Sequence, residues 1–201
     1  PLHGLIDVNK WGIKELENST MWLTFGGMGH KFRLFMCKLP GTNINVFFVH
    51  NDWYFSCFKD VYPKWLDTKY EHERYIAFSL AVMEYAKLLN FKADVIHTND
   101  WHTAMIPVYL HSNYRFDEFW KDTKCVFEIH NLAYQGVWFE DVLDFANMRK
   151  DIVYNEFGLE HFGKVNWVKG AINYSDKVIA VSPTYSREIL TGEYGEGMDY
   201  T

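Results

Sequence analysis

No apolar run in this sequence is long enough to cross a bilayer: the longest candidate, residues 75–83, falls far short of the roughly 20 residues that a membrane helix needs. Cysteine is scarce. Cys37, Cys57 and Cys125 are widely spaced and form no Cys-x-x-Cys pair, which fits reduced thiols in a reducing compartment better than a disulfide scaffold. An excess of positive charge is also missing. The net charge of -6 gives no electrostatic reason to expect a nucleic acid or an anionic membrane as partner, while a neutral or phosphorylated small ligand stays open. There is no internal repeat and no low-complexity tract, and no cleavable leader is visible in a sequence that begins at Pro1 rather than Met. These features point to the cytoplasm, and a plastid protein without its transit peptide would look the same. With 201 residues, 48% of them hydrophobic, the chain can build one domain with a sizeable core.

What is present is organised around two stretches, Ala93-Asp94-Val95-Ile96-His97-Thr98-Asn99-Asp100-Trp101-His102 and Cys125-Val126-Phe127-Glu128-Ile129-His130-Asn131. Each is a short apolar run rich in β-branched residues that ends in His, Asn and Asp, the pattern of a buried parallel strand delivering side chains to its carboxyl edge. In open α/β sheets ligands bind outside those edges, so His97, Asn99, Asp100, Trp101, His102, His130 and Asn131 are candidates for one site.

The rest of the chain supplies a frame. Residues 11–17 read as a short helix, and residues 21–25, 30–39 and 44–50 read as strands, the last two joined by Pro40-Gly41-Thr42-Asn43 in hairpin turn chemistry. Residues 51–67 are aromatic and irregular, with Trp53, Tyr54 and Trp65 among them, and a loop of that length is usually functional or mobile. Thr68 and Glu71 match a capping box and Asn90 a left-handed stop, with one long helix between them, apolar nearly all round over residues 75–83 and therefore covered on more than one side. Strand 94–97, helix 103–111 and strand 124–129 form a βαβ unit with a parallel pair. Short helices are expected within residues 140–154, a better one at 167–174 and a buried strand at 177–181. Ser182-Pro183 then opens a helix to Leu190.

Two imidazoles and a carboxylate, His97, His102 and Asp100, raise the question of zinc. On an extended strand His97 and Asp100 face opposite sides, and the following helix turns His102 again, so no metal site is expected.

Four blocks carry a resemblance: Asp94-Val95-Ile96-His97-Thr98-Asn99-Asp100-Trp101-His102-Thr103; His130-Asn131-Leu132-Ala133-Tyr134-Gln135-Gly136; Gly158-Leu159-Glu160 with Lys164 and Lys169-Gly170; and Val181-Ser182-Pro183-Thr184-Tyr185 with Arg187-Glu188-Ile189. In this order they resemble the successive signatures of the bacterial glycogen synthase and plant starch synthase family, most clearly from Glu71 onward. The resemblance implies a retaining glucosyltransferase that moves glucose from ADP-glucose to the non-reducing end of an α-1,4-glucan. It also implies an α/β fold of GT-B type, in which two Rossmann-like domains face a cleft. This chain then corresponds to the N-terminal, acceptor-side domain: one Rossmann-like domain over residues 1–201, with a mostly parallel sheet, helices on both faces and a β-hairpin near its start. The family's opening strand and Lys-x-Gly-Gly loop have no counterpart here, Gly26-Gly27 lacking the preceding lysine, and the C-terminal domain is absent too. The expected partners are therefore a nucleotide sugar, an α-glucan and that second domain, with no metal or organic cofactor and with catalysis left to the longer protein.

His130 stands at the family's motif histidine, which the resemblance places against the donor glucose. A neutral imidazole there can hydrogen-bond a sugar hydroxyl or steady the charge that develops at the anomeric carbon. The alternative is a strand-end histidine capping a carbonyl. Asp100 and Asn131 suit vicinal hydroxyls as acceptor and as donor and acceptor; either equally suits an Asx turn or helix cap. Trp101 can offer a flat face to a glucan ring or fill the corner between strand and helix. Tyr54 falls near the family's acceptor-contacting tyrosine, but the usual Asp-Arg-Pro-Gly after it is here Phe55-Ser56-Cys57-Phe58. Asn99 stands where the family commonly has another His. Competing readings are a non-catalytic glucan-binding or regulatory module of the same fold, and a different two-domain glycosyltransferase, against which the His-Asn-Leu-Ala-Tyr-Gln-Gly block speaks.

Overall fold

The structure is a computed structural model that describes residues 1–63 and 69–201, in two compact units, Pro1–Leu89 and Asn90–Thr201. The expected cap at Thr68, and Trp65, lie outside the described residues.

The first unit is built on an antiparallel sheet. Strand β1 (Lys14–Glu15), β2 (Met21–Phe25) and β4 (Asn45–His50) all pair with the long β3 (Met28–Lys38). Gly26 and Gly27 both have positive φ, 57° and 75°, the conformation a two-residue hairpin of type I′ demands, so β3 begins at Met28 and not at residue 30. Residues 11–17 do not form the expected helix. Gly12 at φ 61° and Asn18 at φ 57° break the segment on either side, and its middle pairs as β1 with Met36 and Phe35.

After β4, Asn51 Oδ1 accepts from the amides of Trp53 and Tyr54 and opens a π-helical turn, Asp52–Ser56. The long helix α1 (Lys69–Leu88) follows, and Asn90 at φ 49° stops it as expected. Arg74 through Ala77 are buried in succession, more than one full turn, so the helix is covered all round at that level.

Arg74 is the tie within this unit. Its side chain is buried, Nε donating to the Tyr54 carbonyl at 2.9 Å and Nη1 to the Val61 carbonyl at 3.1 Å, with the guanidinium 5.0 Å from the Phe58 ring. A buried cation is tolerated only when its donors are used in this way.

The second unit contains the βαβ arrangement. Strand β5 (Val95–Asn99), helix α2 (Met105–His111), β6 (Lys124–Ile129) and, later, β10 (Lys177–Ala180) give a parallel sheet in the order β10-β6-β5. A mostly parallel sheet is not what the described residues form: only these three strands are parallel, and the sheet of the first unit is antiparallel. So is a small one made of β7 (Val137–Trp138), β9 (Lys164–Asn166) and β8 (Glu160–His161).

The parallel strands are also less covered than their apolar runs imply. One face carries Thr98, Cys125, Phe127 and Ile129, all buried, while Val95 is 54% exposed and Ile179 42%. Short helices α3 (Asp141–Phe145) and α4 (Lys150–Val153), then α5 (Trp167–Tyr174) and α6 (Pro183–Glu188), complete the unit, the last capped by Ser182. Among the described residues no helix is long and apolar enough to cross a membrane.

Helix α5 packs on α2 through Gly170, where an added Cβ would sit 2.4 Å from Leu159 Cδ2 and 3.1 Å from Val108 Cγ2. Gly170→Ala is expected to destabilise by roughly 1–3 kcal/mol despite alanine's better helix propensity, because overpacking outweighs that gain; the shift of the urea midpoint measures it.

Arg74→Leu leaves two carbonyls without their donor and is expected to cost roughly 2–5 kcal/mol, again by urea unfolding. In the same unit His30, stacked on Phe25 with centroids 4.1 Å apart, and His50 are held below the ordinary histidine pKa, in both cases chiefly by burial. The unfolded chain then binds more protons than the folded one in the histidine range. Stability is therefore expected to fall as pH drops below about 6.5, and the loss should shrink in His30→Gln when the thermal midpoint is followed against pH.

Candidate active site

The parallel register sets the site. Asn99 pairs with Glu128 and His97 with Val126, so residues 97 and 99 of β5 and residues 128 and 130 at the end of β6 share one face of the sheet. On that face His97 Nε2 lies 2.9 Å from Glu128 Oε2, and His130 Nε2 lies 3.0 Å from Asn99 Oδ1 and 3.9 Å from Glu128 Oε1. The two imidazoles are about half exposed.

Asp100 leaves β5 in the left-handed region at φ 54°, which Asp tolerates better than most residues. Its own amide donates to the Glu128 carbonyl at 3.0 Å, and its Oδ1 accepts from the amides of His130 at 2.8 Å and Asn131 at 3.3 Å. One carboxylate oxygen thus fixes the backbone that carries the motif histidine. The sharp turn behind it is stapled by Thr103, whose Oγ1 accepts from the Asn99 amide and donates to the Asn99 carbonyl. Asn131 Oδ1 accepts from the Ala133 amide at 3.1 Å in an Asx turn.

Beyond Asn131 the loop is anchored residue by residue. Tyr185 Oη accepts from the Leu132 amide at 2.8 Å, Gln135 Oε1 accepts from Asn166 Nδ2 at 2.6 Å, and the Gly136 and Gln135 carbonyls receive the first two amides of α5. Gly136 has φ 64° and a Cβ there would press on Trp101 and Trp167 at 3.2 and 3.3 Å, so a side chain at this position would be strained and would crowd both indoles. Among these positioning residues Asn99 is one of the strand-end candidates, and Thr103, Gln135 and Tyr185 lie in the blocks that carry the resemblance, whereas Glu128 and Asn166 stand out by neither residue type nor motif. Period-two spacing along β6, which puts residue 128 on the face of residue 130, is the one signal in the sequence for Glu128.

Of the expected site residues, the structure brings His130, Asp100 and Asn131 together. Trp101 is 7% exposed, its ring walled by His102, Trp138 and Trp167 with centroids 4.3, 6.2 and 6.0 Å away, so it fills the corner and its face is covered by protein. Tyr54 belongs to the first unit, where it is 3% exposed and packed against Phe25, His30 and Phe55, with burial pushing its hydroxyl pKa up. Among the described residues no three His, Cys, Asp or Glu side chains converge to hold a metal ion, His97, Asp100 and His102 included. Cys125, within β6, is buried, and burial raises its thiol pKa.

A family profile described as starch synthase catalytic domain matches residues 1–201. Curated glycogen synthases resemble the chain over nearly its whole length: that of Thermosipho africanus is 38% identical over 99% of this chain and 40% of its own, and that of Thermotoga maritima 41% over the same shares. The chain therefore spans about 40% of the length of these relatives. Among solved structures, the catalytic domain of starch synthase IV from Arabidopsis thaliana, bound to ADP and acarbose, superposes with a TM-score of 0.81 at 24% identity, over 94% of this chain and 38% of that one. With the profile match covering every residue, this chain belongs to the starch synthase catalytic domain family.

Proposed function

We propose that the chain is the acceptor-side, N-terminal part of a retaining glucosyltransferase that moves glucose from ADP-glucose to the non-reducing end of an α-1,4-glucan, as a glycogen or starch synthase does. The nucleotide sugar, the glucan and the remainder of the longer protein are its partners, it works in the cytoplasm or a plastid, and it uses no metal or organic cofactor. The observation that carries this reading is the meeting of His130, Asn99, Asp100 and Asn131 at the carboxyl ends of two neighbouring parallel strands, with the His130 ring open to solvent. The ADP and acarbose held by the Arabidopsis starch synthase support the ligand classes.

Transfer with retention builds positive charge at the anomeric carbon as the nucleoside diphosphate leaves. A neutral imidazole held at a strand end can bond a sugar hydroxyl and face that charge with its lone pair, at no reorganisation cost during the reaction. Asn131 retains its side-chain Nδ2 as a donor for a hydroxyl, since its Oδ1 serves the Asx turn. Asp100 retains Oδ2 as an acceptor, since Oδ1 serves the two amides.

The test is incubation of the full-length protein with glycogen and radiolabelled ADP-glucose or UDP-glucose. Incorporation from ADP-glucose is expected, and a protein that binds glycogen but transfers from neither donor returns the glucan-binding module. In the full-length enzyme His130→Ala is expected to slow turnover by on the order of a hundred-fold, the loss typical of one preorganised transition-state partner, with unfolding midpoint little changed. Asp100→Ala is expected to cost roughly 2–4 kcal/mol of stability through left-handed strain and two orphaned amides. Asp100→Asn, which tolerates that φ and keeps one amide oxygen, should cost much less while still slowing transfer; denaturant unfolding and steady-state kinetics on the same pair separate the two roles.

A further inference from the structure

A histidine ring has two unlike nitrogens, and which one carries the proton decides what the other can do. His130 Nε2 faces two oxygens, Asn99 Oδ1 at 3.0 Å and Glu128 Oε1 at 3.9 Å. The Asn99 amide can rotate and present NH2 instead of oxygen. The Glu128 carboxylate cannot: it is an acceptor in every rotamer, and a bare Nε2 lone pair turned toward it would be repelled. Glu128 is itself held in place. Its side chain is only 19% exposed, and its other oxygen lies 2.9 Å from His97 Nε2, the partner a half-buried carboxylate requires. Among the described residues none is hydrogen-bonded to His130 Nδ1.

We propose that Glu128 is a positioning residue that holds His130 as the Nε2–H tautomer and leaves the Nδ1 lone pair to face the sugar. Resting on the glucosyl-transfer reading for its consequence, this assigns His130 a direction: it accepts a hydroxyl proton through Nδ1 and does not donate through it. His97 steadies Glu128, and Asn99 adds the nearer acceptor. Glu128 touches no substrate; it acts through the ring it orients, as carboxylates do for the imidazoles of acyl-transfer enzymes.

Long-range proton–nitrogen NMR spectra of the ¹⁵N-labelled full-length protein, recorded at a pH well above the histidine range, distinguish the two tautomers, with His130 assigned by its loss in His130→Ala. The parent protein is expected to show Nε2–H at His130, and Glu128→Gln a mixture. Adding Asn99→Asp to Glu128→Gln, which restores a carboxylate facing the ring, is expected to bring back Nε2–H. The kcat of Glu128→Gln should fall by at least about tenfold at unchanged KM, well short of the roughly 10⁴-fold that a wrong tautomer costs a serine protease, and should recover in the double variant.

Nδ1–H in the parent, or a Glu128→Gln protein identical to the parent in spectrum and kcat, overturns the proposal. Should Glu128→Gln not fold, the parent and Asn99→Ala, which removes the nearer acceptor and keeps Glu128, decide it: Nε2–H in both supports it and Nδ1–H in either overturns it. The spectrum reads the tautomer whether or not glucose is transferred, so a protein with the expected spectra and no transfer refutes the enzyme and leaves the positioning intact.

Discussion

The site depends on one carboxylate oxygen. Asp100 Oδ1 collects the amides of His130 and Asn131, and the Asp100 amide returns a bond to the Glu128 carbonyl, so the ends of β5 and β6 are locked to each other on both sides of the turn. Backbone amides at the end of a parallel strand have lost their ladder partner and need another. A side chain that supplies it also fixes where the next side chains point. The cost is a left-handed backbone at Asp100, and the Thr103 hydroxyl, bonded to both the amide and the carbonyl of Asn99, keeps the turn from relaxing.

The specificity of the His-Asn-Leu-Ala-Tyr-Gln-Gly block follows from the same logic. Three of its seven residues, Leu132, Gln135 and Gly136, hold the loop and are not exposed. Leu132 is tied by its amide to Tyr185 in α6, Gln135 by its side chain to Asn166, and Gly136 by its shape to two tryptophans. Helix α6 is in turn set by Ser182, which accepts the Tyr185 amide. The Val-Ser-Pro-Thr-Tyr block, far away in sequence, is thus part of the support for the histidine loop. Tyr134, exposed at the tip, is a motif residue turned toward solvent.

Elements whose cause is local were legible in the sequence. Strand Lys124–Ile129 and helix Trp167–Tyr174 fell at their expected bounds because apolar period and caps agree there. The small antiparallel sheet is not legible there, since its strands are two or three residues long and carry no period; Phe162-Gly163, with φ 50° and 75°, turns β8 into β9. The exposure of Val95 and Ile179 was missed because β-branched residues mark a strand whether one face is covered or two. Of the site, His130, Asn99, Asp100 and Asn131 are legible by residue type at strand ends. Glu128 resembles an ordinary charge within a strand; alternation puts it on the face of His130, and only the structure shows the two side chains meeting. Trp101 was ambiguous by nature, since an indole at a corner is equally good filler.

The three indoles behind the loop have an optical consequence. Trp101, Trp138 and Trp167 sit with ring centroids between 5.9 and 6.2 Å apart and mutually tilted, close enough for their electronic transitions to couple. Gly136 and Trp101 belong to the same walls as the loop, so a shift of that loop would alter both the near-ultraviolet dichroism and the emission of this cluster. The protein thereby contains its own reporter of loop motion, readable in the second unit without a dye or a label.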